Sequence, residues 1–372
     1  MLVGVPREIK NNEYRVGLTP SGARELMSHG HQVLIEQNAG AAIGLADDDY
    51  ARAGAMLIKS AQEIYARAEL IIKVKEPQAQ ECAWLCADQT LFTYLHLAAD
   101  AELTQRLLDS GVTGIAYETV TDARGALPLL APMSEVAGRM AMQAAAHHLE
   151  KAQGGRGVLL GGVPGVAPAQ VVVLGGGVVG LNAARIALGM GAKVTIVDKS
   201  LPRLQQLDDM YGPRLTTIYS SRDAIERLLP HADVVVGAAL IPGAAAPKLI
   251  TREMLALMQP GSVLVDVAID QGGCFETSKP TTHQNPTFIV DNIIHYCVAN
   301  MPGALARTAT FALTNATLPY VLKLANQGVR SALQGDPGFR NGLNLRNGHV
   351  TFKAVADLFG HVYRTADVAL AS

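Results

Sequence analysis

The sequence predicts an α/β protein with two doubly wound parallel-sheet domains, the first of them discontinuous. Three observations lead there. Residues 2–117 alternate short apolar runs with amphipathic segments, the pattern of strands joined by crossover helices. Residues 170–290 repeat that alternation. The C-terminal stretch after the second alternation is too short for a core of its own, so the chain must return to complete the first domain. A length of 372 residues accommodates two domains. The expected division is 1–128 with 305–372, and 129–304 between them.

In the first alternation, strands are expected at 2–6, 31–37, 69–74, 90–95 and 114–117. Helices are expected at 21–28, 48–53, 60–66 and 101–109. Thr19 and Pro20 suit the cap and first position of the first helix. Residues 133–151 carry good helix formers, with Ser134 as the expected N-cap. Residues 154–168 hold too many glycines and prolines for a helix. Six strands follow, at 170–174, 193–197, 215–219, 233–237, 262–269 and 287–290. A second long helical region is expected over 301–328 and a last helix over 352–366.

Composition removes several classes. The net charge is −2, from 31 basic and 33 acidic residues, so no global field attracts nucleic acid or an anionic membrane. Hydrophobic residues make up 49% and charged residues 17%, which argues against disorder. The four cysteines, Cys82, Cys86, Cys274 and Cys297, are too few for a disulfide scaffold and complete no zinc pattern. The N-terminus has no apolar signal core. The uncharged run 157–184 contains Pro164 and Pro168 and does not suit a spanning helix. A cytoplasmic protein without nucleic-acid or membrane partners is expected.

The chemistry starts at Gly175, Gly177 and Gly180, which have the G-x-G-x-x-G spacing. An aliphatic strand precedes them, an alanine-rich helix follows, and the next strand ends in Asp198. This is the context of a Rossmann-like dinucleotide turn. Gly175 permits the tight turn, Gly177 the approach of backbone to pyrophosphate, and Gly180 close helix–strand packing. The helix N-terminus offers free N–H groups to phosphate. Asp198 would accept the ribose hydroxyls and repel a 2′-phosphate, which predicts NAD over NADP.

Read with their flanks, these residues resemble the alanine dehydrogenase family over the whole chain. The resemblance rests on EYRVGLTP (13–20), KVKEP (73–77), YLHLA (94–98), MSEVAGRMA (133–141), GGRGVLLGGVPGV (154–166), LGGGVVG (174–180), VDVAIDQGGCFET (265–277) and ALTNATLPY (312–320). It implies reversible NAD-dependent oxidative deamination of L-alanine to pyruvate and ammonium, and assembly into homohexamers. Two other readings share the architecture: a nucleotide-binding component of a transhydrogenase, and a lysine- or opine-type dehydrogenase.

The residues suit that chemistry. Arg15 has the planar fork that binds carboxylates. Lys75 follows the strand 69–74, at the end where open α/β sheets bind ligands. By resemblance both hold the substrate. His96, after the strand 90–95, titrates near neutral pH and resembles the catalytic histidine of the family. Asp270, expected to end the strand 262–269, resembles the second acid–base residue. Asp266, within that strand, reads as a satisfied buried carboxylate, and the His147–His148 pair as structural. By resemblance, Ser134, Val178, Arg203, Ser220, Ala239, Leu240, Val267, Lys279, Val298 and Met301 contact the cofactor. No residue pattern calls for a metal.

Overall fold

A computed structural model describes residues 1–239 and 246–371. The chain divides into two compact units, Met1–Met133 with Leu305–Ser372, and Ser134–Ala304.

The first unit opens with six strands in βα alternation: β1 (Leu2–Val5), β2 (Gln32–Glu36), β3 (Met56–Ile58), β4 (Leu70–Ile72), β5 (Thr90–Thr93) and β6 (Thr113–Ala116). All their mutual pairings are parallel. Side chains at helix starts stop the intervening helices where the sequence suggests. Thr19 accepts from the Gly22 amide ahead of Pro20–Ser28, and Asp100 from the Leu103 amide ahead of Ala101–Ser110. β4, β5 and β6 are buried at every position, because helices cover both faces of a parallel sheet.

The second unit repeats the plan with β7 (Gln170–Leu174), β8 (Lys193–Asp198), β9 (Leu215–Tyr219), β10 (Val234–Gly237), β11 (Val263–Asp266), β12 (Thr287–Val290) and β13 (Ile293–Tyr296). β12 runs antiparallel on the edge, beside β13; the other pairings are parallel. Val172, Leu174, Val235, Leu264 and Phe275 belong to its core.

The chain then returns to the first unit through the helix Ala306–Gln334. Two strands join the edge of the first sheet: β14 (Leu343–Arg346) pairs antiparallel with β6, and β15 (His349–Val350) antiparallel with β14. The sheet orders are β15-β14-β6-β5-β4-β1-β2-β3 and β12-β13-β11-β10-β7-β8-β9. Each sheet therefore reverses direction beside its first strand, between β1 and β4 and between β7 and β10. Ligands in doubly wound sheets bind outside the carboxyl ends of the strands at that switch point.

Several elements differ from the sequence expectation. The helix expected to start at Ser134 runs Ala131–His148, so Ser134 lies in its first turn and is not its N-cap; Pro132, which needs no amide partner, suits the start. β3 was not expected, being three residues long and too short for a periodic signal. Nor was the β14–β15 hairpin, although Asn347 and Gly348 both take positive φ in its two-residue turn, as an Asn-Gly pair favours. β13 adds a seventh strand after the six expected. The helix expected over 352–366 is two, Lys353–Phe359 and Ala366–Ala371, with Gly360 left-handed at the first C-terminus. The long helical region begins at Ala306 after one 3-10 turn and kinks at Gly328. No helix among the described residues is long and apolar enough to cross a membrane.

Candidate active site

In the first unit, the expected substrate residues sit on loops leaving the carboxyl ends of neighbouring strands. Arg15 follows β1, Lys75 follows β4 and His96 follows β5. The parallel register of β4 and β5, Ile72 opposite Phe92, brings the last two together from 21 residues apart. Lys75 Nζ lies 3.3 Å from His96 Nε2. β5 ends at Thr93, two residues before the expected end, and His96 takes a left-handed backbone (φ 49°, ψ 35°). Burial pushes the imidazole pKa down to about 4, and the positive charges of Lys75, Lys10 and Arg15 push the same way. His96 is therefore neutral at physiological pH.

Arg15 is 2% exposed. Burial alone would weaken its charge, but Glu13 offsets that by a two-pronged ion pair: Nε to Oε1 at 2.7 Å and Nη2 to Oε2 at 2.5 Å. The remaining fork nitrogen, Nη1, lies 3.1 Å from the weak acceptor Met133 Sδ. The pair fixes the guanidinium plane.

Sequence reasoning missed the residues behind this group. Glu8 Oε1 accepts the Val74 amide at 2.6 Å and the Lys75 amide at 3.4 Å, while Oε2 accepts Lys73 Nζ at 3.0 Å. Lys73 Nζ also reaches Glu81 Oε1 at 2.9 Å, and the Tyr65 hydroxyl donates to that same oxygen at 3.0 Å. Lys73 is wholly buried. Burial would lower its pKa, yet Glu8 and Glu81 hold it up to about 12. Glu118, after β6, accepts the amides of Leu95 and His96. The Tyr94 ring stacks on His96, with centroids 5.7 Å apart, and its hydroxyl donates to the Leu129 carbonyl at 2.6 Å. Glu8 and Glu118 were visible in the sequence as acidic residues after β1 and β6, but their partners after β4 and β5 were not, because those pairings span adjacent strands.

In the second unit the glycine turn joins β7 to the helix Val178–Gly189. Gly175 has φ 105°, and a Cβ there would stand 2.7 Å from the Ala238 carbonyl oxygen. Gly180 packs its Cα against the Gly175 carbonyl so closely that any Cβ would overlap it. Gly177 caps the helix, and open space adjoins its Cα. Its turn therefore leaves room for a phosphate against the first helical amides. Asp198, at the end of β8, accepts the Gly176 amide at 2.6 Å on one oxygen and the Ser200 amide at 2.8 Å on the other. A carboxylate has lone pairs left for ribose hydroxyls after both bonds. Arg203 Nε donates to the Gly176 carbonyl at 2.6 Å. The turn is thus preformed, and its residues fit a dinucleotide.

The other expected contacts share this carboxyl end. Val178 is the first residue of the helix. The Ser220 amide donates to the Asp198 carbonyl after β9, and the Val267 amide to the Gly237 carbonyl after β11. Ala239 follows β10, and Val298 and Met301, both buried, follow β13. Lys279 is exposed, with Nζ 4.5 Å from the centre of the Phe288 ring. Leu240 lies outside the described residues. Asp270 does not end a strand: β11 stops at Asp266, and Asp270 is exposed on the 3-10 turn Ile269–Gln271. Asp266 is fully buried and accepts from the Cys274 amide and the Ser278 hydroxyl, a structural carboxylate. All four cysteines are free thiols.

Comparison with known proteins is consistent along the chain. A family model described as Alanine dehydrogenase/PNT, N-terminal domain matches residues 4–137, and one described as Alanine dehydrogenase/PNT, C-terminal domain matches residues 141–353. The chain is 64% identical to an alanine dehydrogenase of Halomonas elongata over 363 residues, 98% of each chain. A solved L-alanine dehydrogenase superposes with a TM-score of 0.94 at 52% identity, covering 97% of this chain and 99% of that one. A transhydrogenase from Sinorhizobium meliloti shares the fold, with a TM-score of 0.81 at 24% identity over 95% and 100% of the two chains.

Proposed function

Because this chain belongs to the alanine dehydrogenase/PNT family, we propose that it catalyses the reversible NAD-dependent oxidative deamination of L-alanine to pyruvate and ammonium. The observation that carries this reading is the Lys75–His96 pair, joined by Arg15 at the carboxyl end of the first sheet. It supplies the carboxylate anchor and the neutral base that an amino-acid dehydrogenase requires.

Arg15 binds the substrate carboxylate, its guanidinium plane oriented by Glu13. Lys75 holds the carboxylate and, in the reverse direction, the keto oxygen of pyruvate. A bound NAD⁺ would supply the acceptor for the hydride of the α-carbon. Gly175, Gly177, Val178 and Gly180 hold its phosphates, Asp198 its ribose, and Arg203 and Ser220 flank the adenosine end. Ser134, Ala239, Leu240, Val267, Lys279, Val298 and Met301 complete the site, the last two toward the nicotinamide. His96, neutral with a low pKa, takes the proton of the water that adds to the iminium carbon. Asp270 moves the second proton as ammonia leaves.

The same reading makes the protein a cytoplasmic homohexamer. Leu159, Val163 and Val166, exposed on the segment before β7, supply apolar surface of the kind that subunit contacts cover. Light scattering tests the assembly. The reaction is tested by following NADH absorbance with NAD⁺ and L-alanine. Alanine-dependent reduction is expected, with none from L-lysine plus 2-oxoglutarate and none without substrate. Absence of alanine-dependent reduction would overturn the assignment.

A further inference from the structure

We propose that Glu118 is a positioning residue that clamps the backbone of Leu95 and His96 and so aims the imidazole at Lys75, an inference that rests on the role given to His96 above. His96 has φ 49°, a conformation uncommon for a residue with a Cβ and a source of local strain. A constraint is visible. Glu118 Oε1 accepts the His96 amide at 2.6 Å and the Leu95 amide at 3.1 Å, and Oε2 lies 3.3 Å from the Leu95 amide. Two consecutive amides converging on one carboxylate make a small anion-binding nest closed within the protein.

The sheet delivers the carboxylate. β5 and β6 pair in parallel, Thr93 opposite Ala116, so the 3-10 turn Tyr117–Thr119 stands beside the turn that holds His96. Burial raises the Glu118 pKa, and the two amides together with Lys75 counter that rise. The Tyr94 ring restrains the face of the imidazole but not its backbone. Glu118 ties the His96 backbone to the turn after the next strand, beside the 3.3 Å contact from Lys75 Nζ to His96 Nε2.

The test uses full-length protein carrying E118A or E118Q, with wild type alongside. Both amides share Oε1, so the single carbonyl oxygen of glutamine can keep the clamp. E118A is expected to lower kcat for L-alanine oxidation by about 10–100-fold, the size of effect that misplacing a reacting group produces. KM for NAD⁺ should stay within about twofold in both variants, because the glycine turn belongs to the other unit, and E118Q should keep kcat within about threefold of wild type, because it keeps the clamp. E118A at wild-type kcat, or E118Q as impaired as E118A, overturns the proposal. If E118A does not fold by circular dichroism, E118D carries the test. It withdraws the acceptor by roughly one C–C bond while keeping the charge, and must show the same fall in kcat. Wild type without alanine-dependent NAD reduction would refute the reaction instead. The clamp is then read from hydrogen exchange of the Leu95 and His96 amides, slow in wild type and fast in E118A; equal rates overturn it.

Discussion

Lys73→Met removes the one cation from a buried cluster that holds the carboxylates of Glu8 and Glu81. Methionine keeps most of the volume, so the change is electrostatic. Lys73 and Glu81 are both within 1% of full burial, and the two N–O distances are 3.0 and 2.9 Å. Removing one partner of such a group strands the other charges and costs roughly 3–5 kcal/mol. For a unit of about 200 residues, each kcal/mol moves the midpoint by roughly 2–4 °C, so its thermal transition should fall by about 6–20 °C at pH 8. The deficit must also depend on pH. In wild type the folded Lys73 pKa is raised to about 12 from 10.5, so its contribution is full below 10.5 and fades only as pH climbs toward 12. In the variant, Glu8, already raised by burial, loses the lysine that opposes the rise. The folded state then binds protons more tightly than the unfolded one, and stability falls as pH rises above the ordinary carboxylate value of 4.5. Thermal unfolding followed by circular dichroism should show a small deficit at pH 5 and the full one at pH 8. A deficit equal at both values, or none at pH 8, would refute the reasoning.

Three further outcomes are expected. His96, with its pKa pushed down to about 4, should carry no charge change between pH 5 and 9; its NMR titration should find no midpoint near 6.5, and one there would remove the neutral-base assignment. Asp198→Ala deletes the acceptor of the Gly176 and Ser200 amides as well as the proposed ribose partner. NADH affinity by fluorescence titration should weaken by about tenfold or more, matching the loss of one charged hydrogen bond, and NADP reduction should become measurable. An unchanged affinity would count against the role given to Asp198. Gly180→Ala pushes the helix Val178–Gly189 off the turn, because no Cβ fits against the Gly175 carbonyl. NADH binding should fall by at least about tenfold, the scale of a 1.4 kcal/mol penalty, and wild-type affinity would show that the turn tolerates the shift.

Local signals in the chain reach as far as local physics does. The glycine spacing at 175–180 and the aspartate that ends β8 lie within one βαβ unit, so their arrangement follows from strand, turn and helix geometry. The cap at Thr19 is read three residues away. Short or edge elements gave weaker patterns: β3 and the β14–β15 hairpin take their order from neighbours, and Ser134 was misplaced because Pro132 had already opened the helix.

Sequence by itself determined the class of fold, the position of the phosphate turn and the set of polar residues at strand ends. Alternating apolar runs leave a doubly wound sheet as the way to bury them, and that sheet has one functional end. Tertiary structure alone decided which of those residues act together. Lys73 and Lys75 are two apart and look alike in the chain. One is sealed between Glu8 and Glu81, while the other reaches His96. Asp266 and Asp270 divide in the same way, into a buried acceptor and an exposed residue on a turn. Burial and cross-strand register set those differences, and neither is a property of the local sequence.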